Sequence, residues 1–210
     1  MSFGGNIANG GFDIIKSAVK QSLIFSMPVY NDFVKNILQA NKTMIKLRSY
    51  WGGDLYNEIV EEWNSLCPAL NLFLDNSGSA YNFMSDAIKI YTSTEHETIN
   101  QGNVDITKAT RLEPNDADDL KSTPAEMYKD RKEIADCLIT ANGLVDELFR
   151  RLVDSEASSQ AINDAKDLMD ANKKRIHEGL LKVSSLVSQN ITTAATDYES
   201  HEKTVRGGLA

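Results

Sequence analysis

Apolar positions recur at helical spacing along most of the chain beyond its first two dozen residues. Between residues 59 and 91 the spacing alternates between four and three residues without a slip, and only Ser77 is polar. These positions are Ile59, Trp63, Leu66, Leu70, Phe73, Ser77, Ala80, Met84, Ala87 and Tyr91. A repeat of about 3.5 residues predicts a long helix that packs on a partner in a left-handed supercoil. Pro68 lies inside this run, and we expect it to bend the helix.

Three further runs predict three more helices. Pro28 either begins the first of them or kinks an earlier segment, residues 12–24, into it. The third helix has a marked start, because Thr123-Pro124-Ala125-Glu126 is a capping box with proline at the first helical position. The positions of these runs, apolar except for Arg131, are Phe33, Ile37, Ala40, Met44 and Leu47; Met127, Arg131, Ile134, Leu138, Ala141, Val145, Leu148 and Leu152; and Ile162, Ala165, Met169, Ile176, Leu180, Val183, Val187, Ile191, Ala194 and Tyr198.

The order of these elements predicts an all-α fold of two long helix-turn-helix hairpins. An N-terminal extension at 1–24, with a short helix as one option, precedes a first hairpin at 25–99. A linker without apolar period follows at 100–121, then a second hairpin at 122–205 and a tail at 206–210. At about 25 cal/mol per Å² of apolar surface, one antiparallel four-helix bundle buries far more than two separate hairpins. A swapped dimer is the alternative.

The turn of the first hairpin reads Trp51-Gly52-Gly53. The two glycines can adopt backbone angles that are closed to other residues, so they predict a tight turn. Asp54 follows directly and can cap the next helix. We expect Trp51 to cover the end of the core.

The two hairpins also look like repeats of one plan. Each ends in Tyr-x-x-x-Glu, and the offset that aligns these two motifs also aligns Leu74 with Leu181 and Ala87 with Ala194. The motifs are Tyr91/Glu95 in the first hairpin and Tyr198/Glu202 in the second. The same offset places Ser158 opposite Trp51, so the second turn lacks the Trp-x-Gly motif.

Trp-x-Gly at a hairpin turn and Tyr-x-x-x-Glu after the second long helix resemble the WXG, or Esx-like, family of bacterial type VII secretion substrates. The whole chain looks like a fused pair of such hairpins. The resemblance implies that the turn of one hairpin lies beside the C-terminal segment of the other. It implies a composite export signal, an exposed aromatic pair with a carboxylate, formed by Trp51, Gly53, Tyr198 and Glu202. Tyr91 and Glu95 would be a second, weaker tail motif.

The composition of the chain disfavours several kinds of partner and functional site. The net charge is −8 and no basic block stands out, so we do not expect nucleic acid as a partner. Cys67 and Cys137 form no CxxC pair, which disfavours zinc or redox sites. Buried free thiols are the default interpretation and a disulfide is the alternative. No phosphate loop, GxGxxG or HExxH is present, so we predict no catalytic, cofactor or metal residues, and we expect His96, His177 and His201 at the surface.

No run reaches the roughly 20 apolar residues that a membrane span needs, and charged residues interrupt the apolar positions near the N-terminus. We therefore expect a protein that is cytoplasmic before export and leaves without a cleaved signal peptide. The leading hypothesis is a non-enzymatic secreted substrate. Its partners would be the secretion ATPase and either a second copy of the chain or another Esx-like protein. The alternatives are a cytosolic helical adaptor or chaperone that is not exported and, third, a helix-rich enzyme.

Overall fold

The protein is an all-α four-helix bundle of two antiparallel helical hairpins, as predicted. The computed structural model describes residues 3–7, 10–14, 16–94, 102–117 and 120–208, and the side chains of 18–90, 92–93, 102–117 and 120–205. Its helices are α1 (Lys16–Leu47), α2 (Asp54–Thr94), α3 (Pro124–Asp154) and α4 (Gln160–Gly208). Pro28 and Pro68 lie inside α1 and α2.

The N-terminal segment differs from the expected extension. Two short strands, β1 (Phe3–Ile7) and β2 (Gly10–Ile14), pair antiparallel, with Phe3 opposite Ile14. Helix α1 begins directly afterwards, at Lys16, and continues through Pro28. The first helix therefore starts well before the predicted boundary at residue 25. Of the optional short helix at 12–24, residues 16–24 are the first part of α1 and residues 12–14 belong to β2.

Contacts divide the chain into two compact units, and each unit contains a part of every helix and of the linker. Unit 1 comprises Met1–Lys35, Ala69–Lys108 and Gly143–Ile176, and unit 2 comprises Asn36–Pro68, Ala109–Asn142 and His177–Ala210. Neither unit consists of one hairpin alone. Within each unit, the apolar stripes of both hairpins close over a shared core.

The core of unit 1 contains the predicted seam positions of α2 from Leu70 to Ala87. Phe33 and Phe73 meet edge to face with ring centroids 5.7 Å apart. Ser77, the polar seam position, is buried and donates its hydroxyl to the Phe73 carbonyl at 2.8 Å. This bond satisfies the hydroxyl within its own helix, so the seam tolerates it. Fully buried core members are Leu23, Phe33, Met84, Ile88, Val145, Leu148, Leu152, Ile162 and Met169.

The core of unit 2 is likewise formed by the predicted apolar positions of the helices. A Cβ added at Gly179 would lie 2.5 Å from Leu66 Cδ1, so α4 approaches α2 closely there. Of the two cysteines, Cys67 is buried and Cys137 is half-buried, and both are free thiols; the disulfide alternative is therefore wrong. Fully buried core members are Ile37, Met44, Ile59, Trp63, Met127, Ile134, Leu138, Leu180, Val183, Val187 and Ile191.

Residues 102–117, hereafter the strap, form no helix or strand but are bound closely to the bundle. In unit 1, the side-chain amide of Asn82 accepts from the Val104 N–H at 2.7 Å and donates to the Val104 carbonyl at 3.0 Å. In unit 2, Asn64 holds Leu112 in the same way at 2.8 and 2.9 Å. Each amide satisfies both backbone groups of one strap residue, as a neighbouring β-strand would.

Two side chains of unit 2 also hold the strap at Thr110. Asn41 accepts from the Thr110 N–H at 2.8 Å and donates to the Thr110 carbonyl at 3.0 Å. The Trp63 indole also donates to the Thr110 carbonyl, at 2.9 Å. The strap is therefore part of the fold, and its buried side chains Val104, Ala109 and Leu112 extend the core.

The predicted capping box begins α3. The Glu126 N–H donates to the Thr123 hydroxyl at 3.3 Å, and the Thr123 N–H donates to the Glu126 carboxylate at 3.4 Å. The hydroxyl of Ser122 donates to the same carboxylate, and this bond is the main reason that the pKa of Glu126 lies below its ordinary value. Pro124 is the first helical residue, as the pattern predicts.

Candidate functional site

The turn between α1 and α2 depends on two glycines, for two different reasons. Gly53 has a φ of 85°, a left-handed backbone that favours glycine. Its carbonyl accepts from the Asn57 N–H at 3.0 Å, so Gly53 is the N-cap of α2. Asp54 is consequently the first helical residue, where its carboxylate is favourable to the helix dipole, rather than the expected cap.

Gly52 is required by the strap. A Cβ at this position would lie 2.3 Å from the Ala117 carbonyl oxygen and 2.7 Å from that of Asn115. The Gly53 N–H donates to the same Asn115 carbonyl at 2.7 Å. The expectation that both glycines serve special backbone angles is therefore correct for Gly53, whereas Gly52 serves close approach.

Trp51 is almost fully buried, with 4 % of its surface exposed. Its ring meets Tyr56 edge to face with centroids 5.7 Å apart, and its backbone pairs with Leu120 in an isolated antiparallel bridge. Tyr198 on α4 is 37 % exposed. The expected exposed aromatic pair is thus wrong for Trp51, because the indole packs into the core and only Tyr198 presents its ring to solvent.

Trp51, Gly53 and Tyr198 nevertheless line one cleft, which we call the turn cleft. It has a volume of about 410 Å³. The expected proximity of the first turn and the last helix is therefore found within unit 2. Glu202 lies one helical turn beyond Tyr198 and does not line the cleft. The lining residues are Trp51, Gly52, Gly53, Asp54, Leu55, Leu120, Ala194, Asp197, Tyr198 and His201.

Asn190 fixes α4 against the start of α2. Its buried amide donates to the Leu55 carbonyl at 2.8 Å and to the Glu58 carboxylate at 2.9 Å. Asn190 precedes Tyr198 by about two helical turns, so these bonds set where Tyr198 enters the cleft. The sequence signal was a polar residue next to Ile191 in the apolar stripe, and the pattern did not single it out.

A buried carboxylate holds the other side of the turn. Asp130 on α3 is 1 % exposed, accepts from the Tyr50 hydroxyl at 2.5 Å and forms an ion pair with Lys46 at 2.8 Å. Burial, followed by the bond to Asp130, raises the pKa of Tyr50 far above its ordinary value. The same carboxylate raises the pKa of Lys46. This cluster ties the turn to α3 and escaped the sequence pattern.

The other residues considered in the sequence, namely the Tyr91/Glu95 motif and the three histidines, add little to the site. The side chain of Tyr91, together with Glu95 and His96, lies outside the described residues. His177 is half-buried with Nδ1 2.8 Å from the Asn142 side-chain oxygen, and His201 is exposed at the turn cleft. Among the described residues, no group of three or more His, Cys, Asp or Glu is placed to hold a metal ion. No described helix is both long and apolar enough to cross a membrane.

Comparisons of the chain with models of known protein families, with curated proteins and with solved structures found no match. The turn cleft and the motifs that line it are therefore the features of the protein that bear on its function.

Proposed function

We propose that the protein is a non-enzymatic substrate of a bacterial type VII, Esx-like, secretion system. In this proposal the chain is a fused pseudo-heterodimer, and its export signal combines Trp51 and Gly53 of the first hairpin with Tyr198 and Glu202 of the second. One observation carries the proposal: the turn motif and the tail tyrosine, far apart in sequence, line the same cleft.

The surroundings suit a signal that a partner reads as a rigid surface. The bond of Gly53 to the strap and the bonds of Asn190 to α2 fix both sides of the cleft. Tyr198 and Glu202 are four residues apart on α4, which continues to Gly208, so both side chains lie on one helical face. The partner would be the hexameric ATPase of the secretion machinery, and the protein would leave the cytoplasm without a cleaved signal peptide.

An export assay tests the proposal. The chain is expressed in a bacterium with an Esx-like system, and its amounts in medium and cells are compared. We expect Tyr198→Ala combined with Glu202→Ala to abolish export while folded protein accumulates in the cells. Tyr128→Ala is the matched control, because Tyr128 is a half-exposed tyrosine of unit 2 outside the cleft. Its export should equal that of the unchanged chain.

Trp51 needs a gentler substitution because it is buried. Trp51→Phe keeps an aromatic ring against Tyr56 and should reduce export without unfolding the protein, as circular dichroism would verify. Normal export of both sets of variants would overturn the proposal. Retention of the unchanged chain in cells that export their own substrates would favour the alternative, a cytosolic helical adaptor or chaperone.

A further inference from the structure

The polar side chains that line the turn cleft make no hydrogen bonds or ion pairs with other described residues. The carboxylates of Asp54 and Asp197, the hydroxyl of Tyr198 and the imidazole of His201 line the cleft, and none of them has a hydrogen bond or ion pair to another described residue. Among the residues that the structure describes, no lysine or arginine lines the cleft. All four residues are exposed and hydrated, and the cleft presents them together to an occupant.

Some other carboxylates of unit 2 form ion pairs. Asp130 is paired with Lys46, and Glu62 forms an ion pair with Lys182. The two cleft carboxylates form no ion pair with a described residue, and they line one cleft together. An apolar occupant would remove their water without replacing those hydrogen bonds, which is unfavourable. A cationic occupant would supply both the charge and the donors.

The aromatic wall selects among cations. Tyr198 exposes 37 % of its surface, and Asp197 and Trp51 line the same cleft. A planar guanidinium can stack on an aromatic face while it donates two parallel hydrogen bonds to a carboxylate. An ammonium group offers no such plane. The net charge of −8 also favours encounter with a basic segment.

We propose that the turn cleft binds an arginine side chain from an extended segment of a partner protein. Asp197 and Asp54 would accept its hydrogen bonds, and Tyr198 would stack on its plane. This inference rests on the proposed function for the identity of the partner, which would be a component of the export machinery.

The test uses the full chain and two acetylated, amidated pentapeptides, Gly-Leu-Arg-Leu-Gly and its citrulline counterpart, which is nearly isosteric but neutral. Binding is followed by NMR of ¹⁵N-labelled protein. The chain has two tryptophans, and the Trp63 indole, bonded to Thr110, is an internal reference in the same spectrum. We expect the signals of Trp51 and Gly53 to move with the arginine peptide while the Trp63 indole signal stays in place.

The affinities decide the outcome. The arginine peptide should bind at least about tenfold more tightly than the citrulline peptide, and added salt should weaken it. Asp197→Asn should weaken binding about fivefold or more. Asp136→Asn, which removes an exposed carboxylate of unit 2 outside the cleft, should not weaken it. Equal affinity for the two peptides, no binding of either, or an unchanged Asp197→Asn variant would overturn the inference.

The two proposals can fail separately. If Tyr198 and Trp51 variants are exported normally, the proposed function fails, whatever the peptides do. If export depends on these residues but the arginine peptide shows no preference, only the identity of the cleft's occupant is wrong.

Discussion

Gly52→Ala is the sharpest test of the way the strap and the turn fit together. The added methyl group would lie 2.3 Å from the Ala117 carbonyl oxygen and 2.7 Å from the Asn115 carbonyl oxygen. Both atoms are backbone, so no side-chain rotation relieves the clash. The strap must move away from the turn, and the bond from the Gly53 N–H to Asn115, 2.7 Å long, is lost or stretched.

The expected cost follows from these two effects. Overpacking that forces a backbone shift costs about 1–3 kcal/mol. A lost backbone hydrogen bond adds about 0.5–1.5 kcal/mol. We therefore expect Gly52→Ala to lower the free energy of unfolding by about 2–4 kcal/mol. With a urea slope of about 3 kcal/mol/M, the unfolding midpoint should fall by about 1 M.

Urea unfolding followed by circular dichroism measures this change, and Gly143→Ala is the control. Gly143 lies inside α3, and a Cβ there would meet nothing within 4 Å. Its replacement should stabilise the protein by about 0.5–1 kcal/mol, because alanine favours a helix. A Gly52→Ala midpoint equal to that of the unchanged chain would refute the tight seating of the strap on the turn.

Three further predictions concern buried polar groups. Asn64→Ala should lower the free energy of unfolding by about 1–3 kcal/mol, since it leaves two buried strap groups unpaired; Asn172→Ala, which removes only a bond within α4, should be nearly neutral. Asp130→Asn should lower the free energy of unfolding by about 1–3 kcal/mol in thermal unfolding, and unchanged stability would show that the bonds of the buried Asp130 carboxylate contribute nothing. Burial raises the pKa of Tyr30 and of Tyr56 to about 12. The folded state therefore holds these protons more tightly than the unfolded state, and the free energy of unfolding should fall as pH rises from about 10 towards 12. A free energy of unfolding that stays constant over this range would contradict this.

Local patterns were sufficient for the helices. The seam from Ile59 to Met84 is buried as its period predicts, and the Thr123–Glu126 capping box begins α3 where expected. Both signals involve residues that are close in sequence, so they can be recognised without knowing the tertiary structure. The paired strands β1 and β2 were not predicted, because each has only five residues and together they contain four glycines. Such short strands show no clear alternation.

The site was harder to predict because its parts are distant in sequence. The motifs placed Trp51 beside Tyr198 only through a family resemblance, and they did not reveal that the indole is buried. Asn190 and Asp130 bond across helices, and nothing in their own surroundings marks those partners. A polar residue within or beside an apolar stripe is the available signal, and it says only that a partner is needed.

The strap explains why the turn needs glycine at two successive positions. Gly53 must adopt a left-handed backbone so that its carbonyl can begin α2, and its N–H then points to Asn115. Gly52 must have no side chain so that the strap can come close enough to accept that bond. Gly53 therefore sets the direction of the backbone at the start of α2, and Gly52 leaves room for the strap. Because Gly52 and Gly53 also line the turn cleft, a displaced strap would change the shape of the cleft, even though no strap residue lines it. Gly52→Ala should therefore reduce export without altering Tyr198 or Glu202, and it connects the stability of the linker to the proposed signal.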